Sequence, residues 1–263
     1  NHFISFYIYQ IYQDTTMERK IYLLIAFCFF TLSIQAQTQY KQKIYDCYLK
    51  GNMATWKVTV DQMLLVKNTS NDFKFELLNY LYGYIGWCIG NERKPEARKY
   101  LDIAEQMAFE LETKKVNLSL VNAYQGAFNG YNIALNPIKV IFFGSRSIKH
   151  VEQAISLNKN NYFAYLQMGN IEFYKPPRFG GDKYKAINYY GQANKLIEND
   201  YFKHKNDWNY LSILVQIAKS YSALGKLQEA KKYYENILKI EPNFTWVKNK
   251  LLPELNKQIK DGK

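Results

Sequence analysis

The chain has 263 residues, 48% of them hydrophobic and 17% aromatic, with 24 Tyr and 16 Phe against only 6 Pro and 13 Gly. That composition excludes a disordered chain, supplies enough apolar surface for one large core or two small ones, and favours long helices packed side by side over a sheet domain. The formal net charge is +12, but Lys and Arg are scattered among acids, as in Asn91-Glu92-Arg93-Lys94-Pro95-Glu96-Ala97-Arg98, so the excess reads as a solvated surface and not as a nucleic-acid face.

Residues 1–16 do not begin with Met and read as an upstream segment outside the native protein. From Met17 the three parts of a secretory leader follow: the charged Glu18-Arg19-Lys20, the uncharged apolar run Ile21–Ile34, and a cleavage point after Ala36. The apolar run is shorter than the roughly 20 residues that span a bilayer, and a signal anchor is the competing reading. Phe27 before Cys28 rules out a lipoprotein motif. The expectation is therefore a signal peptide over 17–36 and a periplasmic or secreted mature chain over 37–263, with no stable membrane span after cleavage. That mature chain keeps Cys47 and Cys88, each among apolar and aromatic neighbours. Two cysteines make no disulfide framework, and buried free thiols are favoured over a bridge. His150 and His204 lack ligand spacing, so no metal site is expected.

Along the mature chain one pattern recurs: a small residue, a large one four later, and a small one seven later. In order it is marginal at Trp56-Val60-Met63, good at Ala97-Leu101-Ala104, fair at Ser147-Val151-Ala154, best at Ala186-Tyr190-Ala193, and clear again at Ala230-Tyr234-Ile237. Helical spacing puts each trio on one face. Preceding helices carry Gly83, Gly126 and Gly169 where two backbones must cross closely. The starts are 41, 50, 39 and 44 residues apart, so helices or loops are lengthened; the segments Lys175–Asp182 and Leu135–Arg146 read as insertions. In Lys175-Pro176-Pro177-Arg178-Phe179-Gly180-Gly181-Asp182, the glycines supply positive φ and Asp182 an N-cap. The spacing predicts five helix pairs over about 40–69, 73–112, 117–158, 161–199 and 207–241. A capping helix over 244–260 then closes the stack, with Val247, Leu251, Leu255 and Ile259 on one stripe and Pro253 bending it.

The last pair carries the sharpest signature. Leu214, Ile217, Ala218, Tyr221, Gly225, Ala230, Tyr234 and Pro242 resemble the signature positions of a tetratricopeptide repeat, with departures at Leu214, where the family prefers Trp, and at Ile237, where it prefers Ala. The resemblance implies an all-α, right-handed α-solenoid of about five helix pairs; a HEAT-like or unclassified solenoid is the competing architecture. It also implies an exported, non-enzymatic scaffold or adaptor that binds a protein or peptide in a concave groove lined by first helices. Matched to the family's groove positions, Asn122, Tyr131, Gln167, Asn170, Tyr174, Gln216 and Lys219 are the candidate partner-binding residues. The Pro-Pro-Arg-Phe-Gly-Gly-Asp loop is similar to that of some exported tetratricopeptide proteins that accompany solute transporters, which supplies the alternative: a ligand-binding accessory of a solute transport system. No Gly-x-Ser-x-Gly, HExxH, CxxC or Walker pattern occurs, so neither catalysis nor a cofactor is expected.

Overall fold

The computed structural model describes residues 39–200 and 204–262. The predicted leader lies outside the described residues. Two units are distinguished, Asn1–Gln42 and Lys43–Lys263; the fold below is that of the second. Its described residues contain helices and no strand, and none of those helices is long and apolar enough to cross a membrane.

The helices succeed one another as antiparallel pairs. In the first, α1 (43–50) precedes α2 (Met53–Leu64); then come α3 (Asn71–Gly90) with α4 (Lys94–Thr113), and α5 (Leu118–Leu135) with α6 (Val140–Leu157). The last two pairs are α7 (Tyr162–Tyr174) with α8 (Lys183–Asn199), and α9 (Trp208–Ala223) with α10 (Leu227–Ile240). A π-helical turn, Val247–Leu251, leads into α11, Leu252–Lys260. Short polar side chains start most of these helices by accepting orphan amides: Asn52 from Thr55, Ser70 from Phe73, Asn117 from Leu120, Asn161 from Ala164 and Asp207 from Asn209. Asp182 accepts from the amides of both Tyr184 and Lys185.

The trios read from the sequence are the seams of these pairs. Ala97, Leu101 and Ala104, Val151 and Ala154, and Ala186, Tyr190 and Ala193 are all 0% exposed. The glycines opposite them are tight. A Cβ on Gly126 would lie 2.5 Å from Val151 Cγ2, and one on Gly169 would lie 2.5 Å from the Tyr190 ring. Backbone approach of this kind is what small residues permit, and the large member of each trio then fills the space beside the crossing.

One expectation is resolved and another needs correction. The insertion read at Leu135–Arg146 is lengthened helix and not a lengthened loop. A 3-10 turn, Pro137–Lys139, joins α5 to α6, and Gly144, Ser145 and Arg146 lie inside α6. Gly180 does take positive φ (84°), but Gly181 does not; a Cβ there would lie 1.8 Å from Lys175 O, so Gly181 is required by close approach. The bend at Pro253 is handled by the wider turn before it, which lets the proline sit in the first turn of α11, where a missing N–H costs nothing.

The stack also closes on itself. Tyr45 OH donates to Glu241 (2.7 Å) and Thr245 Oγ1 donates to Leu49 O (2.9 Å), each across 196 residues. Tyr48 packs against Phe244 (4.9 Å between ring centroids) and against Trp208 (5.5 Å). The first pair therefore meets the last pair and the start of the cap.

Candidate binding surface

Five of the seven candidate residues lie on α7 and α9 or reach them, but the groove expected between the first helices is filled by the chain's own rings. Tyr82 of α3 stacks on Tyr131 of α5 (5.4 Å) and meets Phe163 of α7 (5.0 Å) and Trp208 of α9 (6.0 Å). Trp208 also meets Trp56 (5.4 Å). Polar groups lace this filling. Tyr131 OH donates to Tyr82 O (3.0 Å). Asn170 Nδ2 reaches both Tyr82 OH (3.1 Å) and Gln167 Oε1 (3.0 Å), and Tyr190 OH donates to Asn170 Oδ1 (2.8 Å). Tyr131, Gln167 and Asn170 thus converge on Tyr82 and brace the interior. Burial raises the phenol of Tyr82 and pushes those of Tyr131 and Tyr190 well up, so all three remain neutral donors.

Asn122 is elsewhere. Its side chain is buried, donates to Leu118 O and faces His150 Nδ1 at 3.0 Å, so it belongs to the seam between α5 and α6. Burial lowers the His150 pKa from 6.5 and favours the neutral ring.

What stays open is the rim beside the α7–α8 loop. Tyr174, Phe179 and Tyr184 are exposed large side chains. Four cations sit on the rings here: Lys183 and Lys219 over Phe173 (4.4 and 5.9 Å), Arg178 over Phe179 (4.9 Å), and Lys226 over Tyr184 (5.1 Å). Lys183 also donates to Phe173 O, and desolvation lowers its pKa. The Tyr174 phenol is near enough to Tyr82, Tyr131 and Tyr190 to raise each further. Of the candidates, then, Tyr174 and Lys219 face this rim, while Gln216 is half-buried one turn before Lys219. Sequence reasoning missed Phe173, Phe179, Lys183, Tyr184 and Lys226, although the density of aromatic and basic residues between 173 and 184 is a visible signal.

Ionisable groups form no metal cluster among the described residues. The densest knot is Asp207, which accepts from Tyr162 OH (2.9 Å) and lies 3.3 Å from His204 Nδ1. Burial raises this carboxyl, but the bonds from His204, the Asn209 amide and Tyr162 outweigh it and hold Asp207 below the ordinary carboxylate range. As the N-cap of α9 it is a structural anion. Cys47 and Cys88 are buried and unbridged, and burial pushes both thiols up, Cys88 to about 11.

A tetratricopeptide-repeat family model matches residues 211–244, which take in most of α9, all of α10 and the turn that follows it. The chain thus carries one tetratricopeptide repeat that its sequence alone identifies, at 211–244. Outside that segment the repeats keep the pairing geometry while losing the consensus. A solved structure with the same architecture is the HusA haemophore from Porphyromonas gingivalis. It is 18% identical and superposes with a TM-score of 0.55 over 71% of this chain and 92% of that one. At that identity the likeness is one of fold. No curated protein matches the chain. The departure of this all-helical stack from an open repeat array lies in the aromatic filling between Tyr48 and Phe244.

Proposed function

We propose that this is a non-enzymatic binding protein of the cell envelope, exported by the leader Met17–Ala36, that holds an acidic segment of a protein or peptide at the rim beside α7. The observation that carries the reading is the placement of Lys183, Lys219, Arg178 and Lys226 on exposed or half-exposed rings. Such a surface offers large, rotamer-poor aromatic contacts and positive charge together, the composition that concentrates binding energy at interfaces. Capture from envelope extracts is the test. The wild-type chain retains a partner that the double variant Tyr174→Ala with Lys219→Glu loses at least ten-fold. Phe109→Ala, at an exposed position on α4, retains it. Equal capture by the rim variant and the wild type contradicts the proposal.

A second reading, a ligand-binding accessory of a solute transport system, draws on the fold shared with a haemophore. Titration with haem, read at its Soret band, separates the two. A saturable one-to-one shift that Tyr174→Ala abolishes favours carriage of a small aromatic ligand, and a featureless titration favours the docking role.

A further inference from the structure

The tip of the α5–α6 connection is apolar and uncovered. Ile138, Ile141 and Phe142 are 73, 76 and 63% exposed, and Val140 beside them is 48% exposed. All four come from one stretch of five residues at the start of α6, and Ile138, Ile141 and Phe142 make an apolar wedge at that tip. At 100° per residue, Ile141, Phe142, Ser145, Arg146 and Lys149 share one side of α6. The buried Ser147, Val151 and Ala154 occupy the opposite side, against α5. Behind the wedge lies an open depression of about 350 Å³ lined by Lys94, Pro95, Arg98, Leu135, Asn136 and Lys139. Asn132 Oδ1 holds Arg98 Nη1 at 2.9 Å and Lys139 Nζ at 3.5 Å, which fixes two of these cations side by side. The nearby carboxylates are Asp102, 3.4 Å from Arg98 Nη1, and Glu105, which accepts from Asn132 Nδ2 at 2.6 Å.

We propose that this tip docks on an anionic bilayer surface, with Ile138, Ile141 and Phe142 entering the acyl boundary and Lys94, Arg98, Lys139, Arg146 and Lys149 meeting lipid phosphates. Charge complementarity and spacing point to this occupant. Arg146 and Lys149 lie about 6 and 11 Å along the helix from Phe142 at 1.5 Å per residue. Interfacial elements bury their apolar side chains about 5–10 Å deep, so both cations reach headgroup level when the tip is inserted.

The test is flotation of the full chain with vesicles of phosphatidylcholine alone and of phosphatidylcholine mixed with phosphatidylglycerol. The wild type binds the mixed vesicles more tightly than the neutral ones. The wedge variant Ile141→Asp with Phe142→Asp weakens that binding at least ten-fold. The collar variant Arg146→Glu with Lys149→Glu weakens it by roughly five-fold per cation lost, and added salt weakens it further. All four positions are exposed, and unchanged circular dichroism confirms that the variants fold. Equal binding to both vesicles, or mixed-vesicle binding that the wedge variant leaves intact, overturns the proposal. So does loss of vesicle binding in competition with a soluble acidic peptide that the wedge variant no longer binds, because that result assigns the tip to a protein partner.

Discussion

Replacing Gly169 with alanine places a Cβ 2.5 Å from Cδ1 and Cε1 and 3.1 Å from Cγ of Tyr190. The ring cannot swing aside, because Tyr190 is 0% exposed and its hydroxyl is tied to Asn170 Oδ1 at 2.8 Å. Overpacking of this kind costs about 1–3 kcal/mol, and against it alanine recovers about 1 kcal/mol of helix propensity. Because the ring is pinned, the cost lies in the upper half of that range, about 2–3 kcal/mol, so the net loss is about 1–2 kcal/mol, or roughly 2–8 °C in Tm for a domain of this size. Gly130 and Gly191 are also helical, yet no atom stands within 4 Å of the Cβ position at either. There the propensity gain is unopposed, and alanine raises Tm by roughly 2–3 °C. Thermal unfolding followed by circular dichroism reads all three. Opposite signs at positions 169 and 191 support the crossing geometry. A Gly169→Ala protein as stable as the wild type refutes it.

Trp208→Ala removes a buried ring that Tyr48, Trp56 and Tyr82 all touch, and it lowers stability in denaturant titration by about 3–5 kcal/mol. Asp182→Ala strips the cap from α8 and costs about 1 kcal/mol in the same titration, with the glycine turn before it unchanged. The folded pKa of His150 lies below its ordinary value of 6.5, so the unfolded chain takes up its proton first. This contribution to stability is intact above about pH 6.5 and is lost as pH falls below it; His150→Gln flattens that limb of the stability profile. Cys47 and Cys88 resist a thiol reagent in the native chain and react on unfolding, with a native rate that follows the opening equilibrium.

The helix pairs were legible because they are local. Ala186-Tyr190-Ala193 states within eight residues which face is buried, and Gly169 opposite completes the crossing. The filled interior was not legible, since it depends on Tyr45 and Leu49 meeting Glu241 and Thr245, pairs that no short window contains. The bonds of Tyr131 and Asn170 to Tyr82 also join different helix pairs, 49 and 88 residues apart in the chain, so the bracing role of these groove candidates was outside any short window. Asn122 was misplaced by rotation: a first helix has one side toward the interior and another toward its own second helix, and Asn122 is on the latter. The spacing left open whether Leu135–Arg146 lengthens a helix or a loop; Ser147, Val151 and Ala154 bury one side of α6 against α5 and hold Gly144-Ser145-Arg146 helical.

Small-angle X-ray scattering tests the closed solenoid most directly. A chain of residues 39–263 whose ends meet through Tyr48, Phe244 and Trp208 has a radius of gyration of about 17 Å, the value for a compact domain of its length, with a single symmetric peak in its distance distribution. A radius several ångström larger, with the extended tail of an open superhelix, contradicts it.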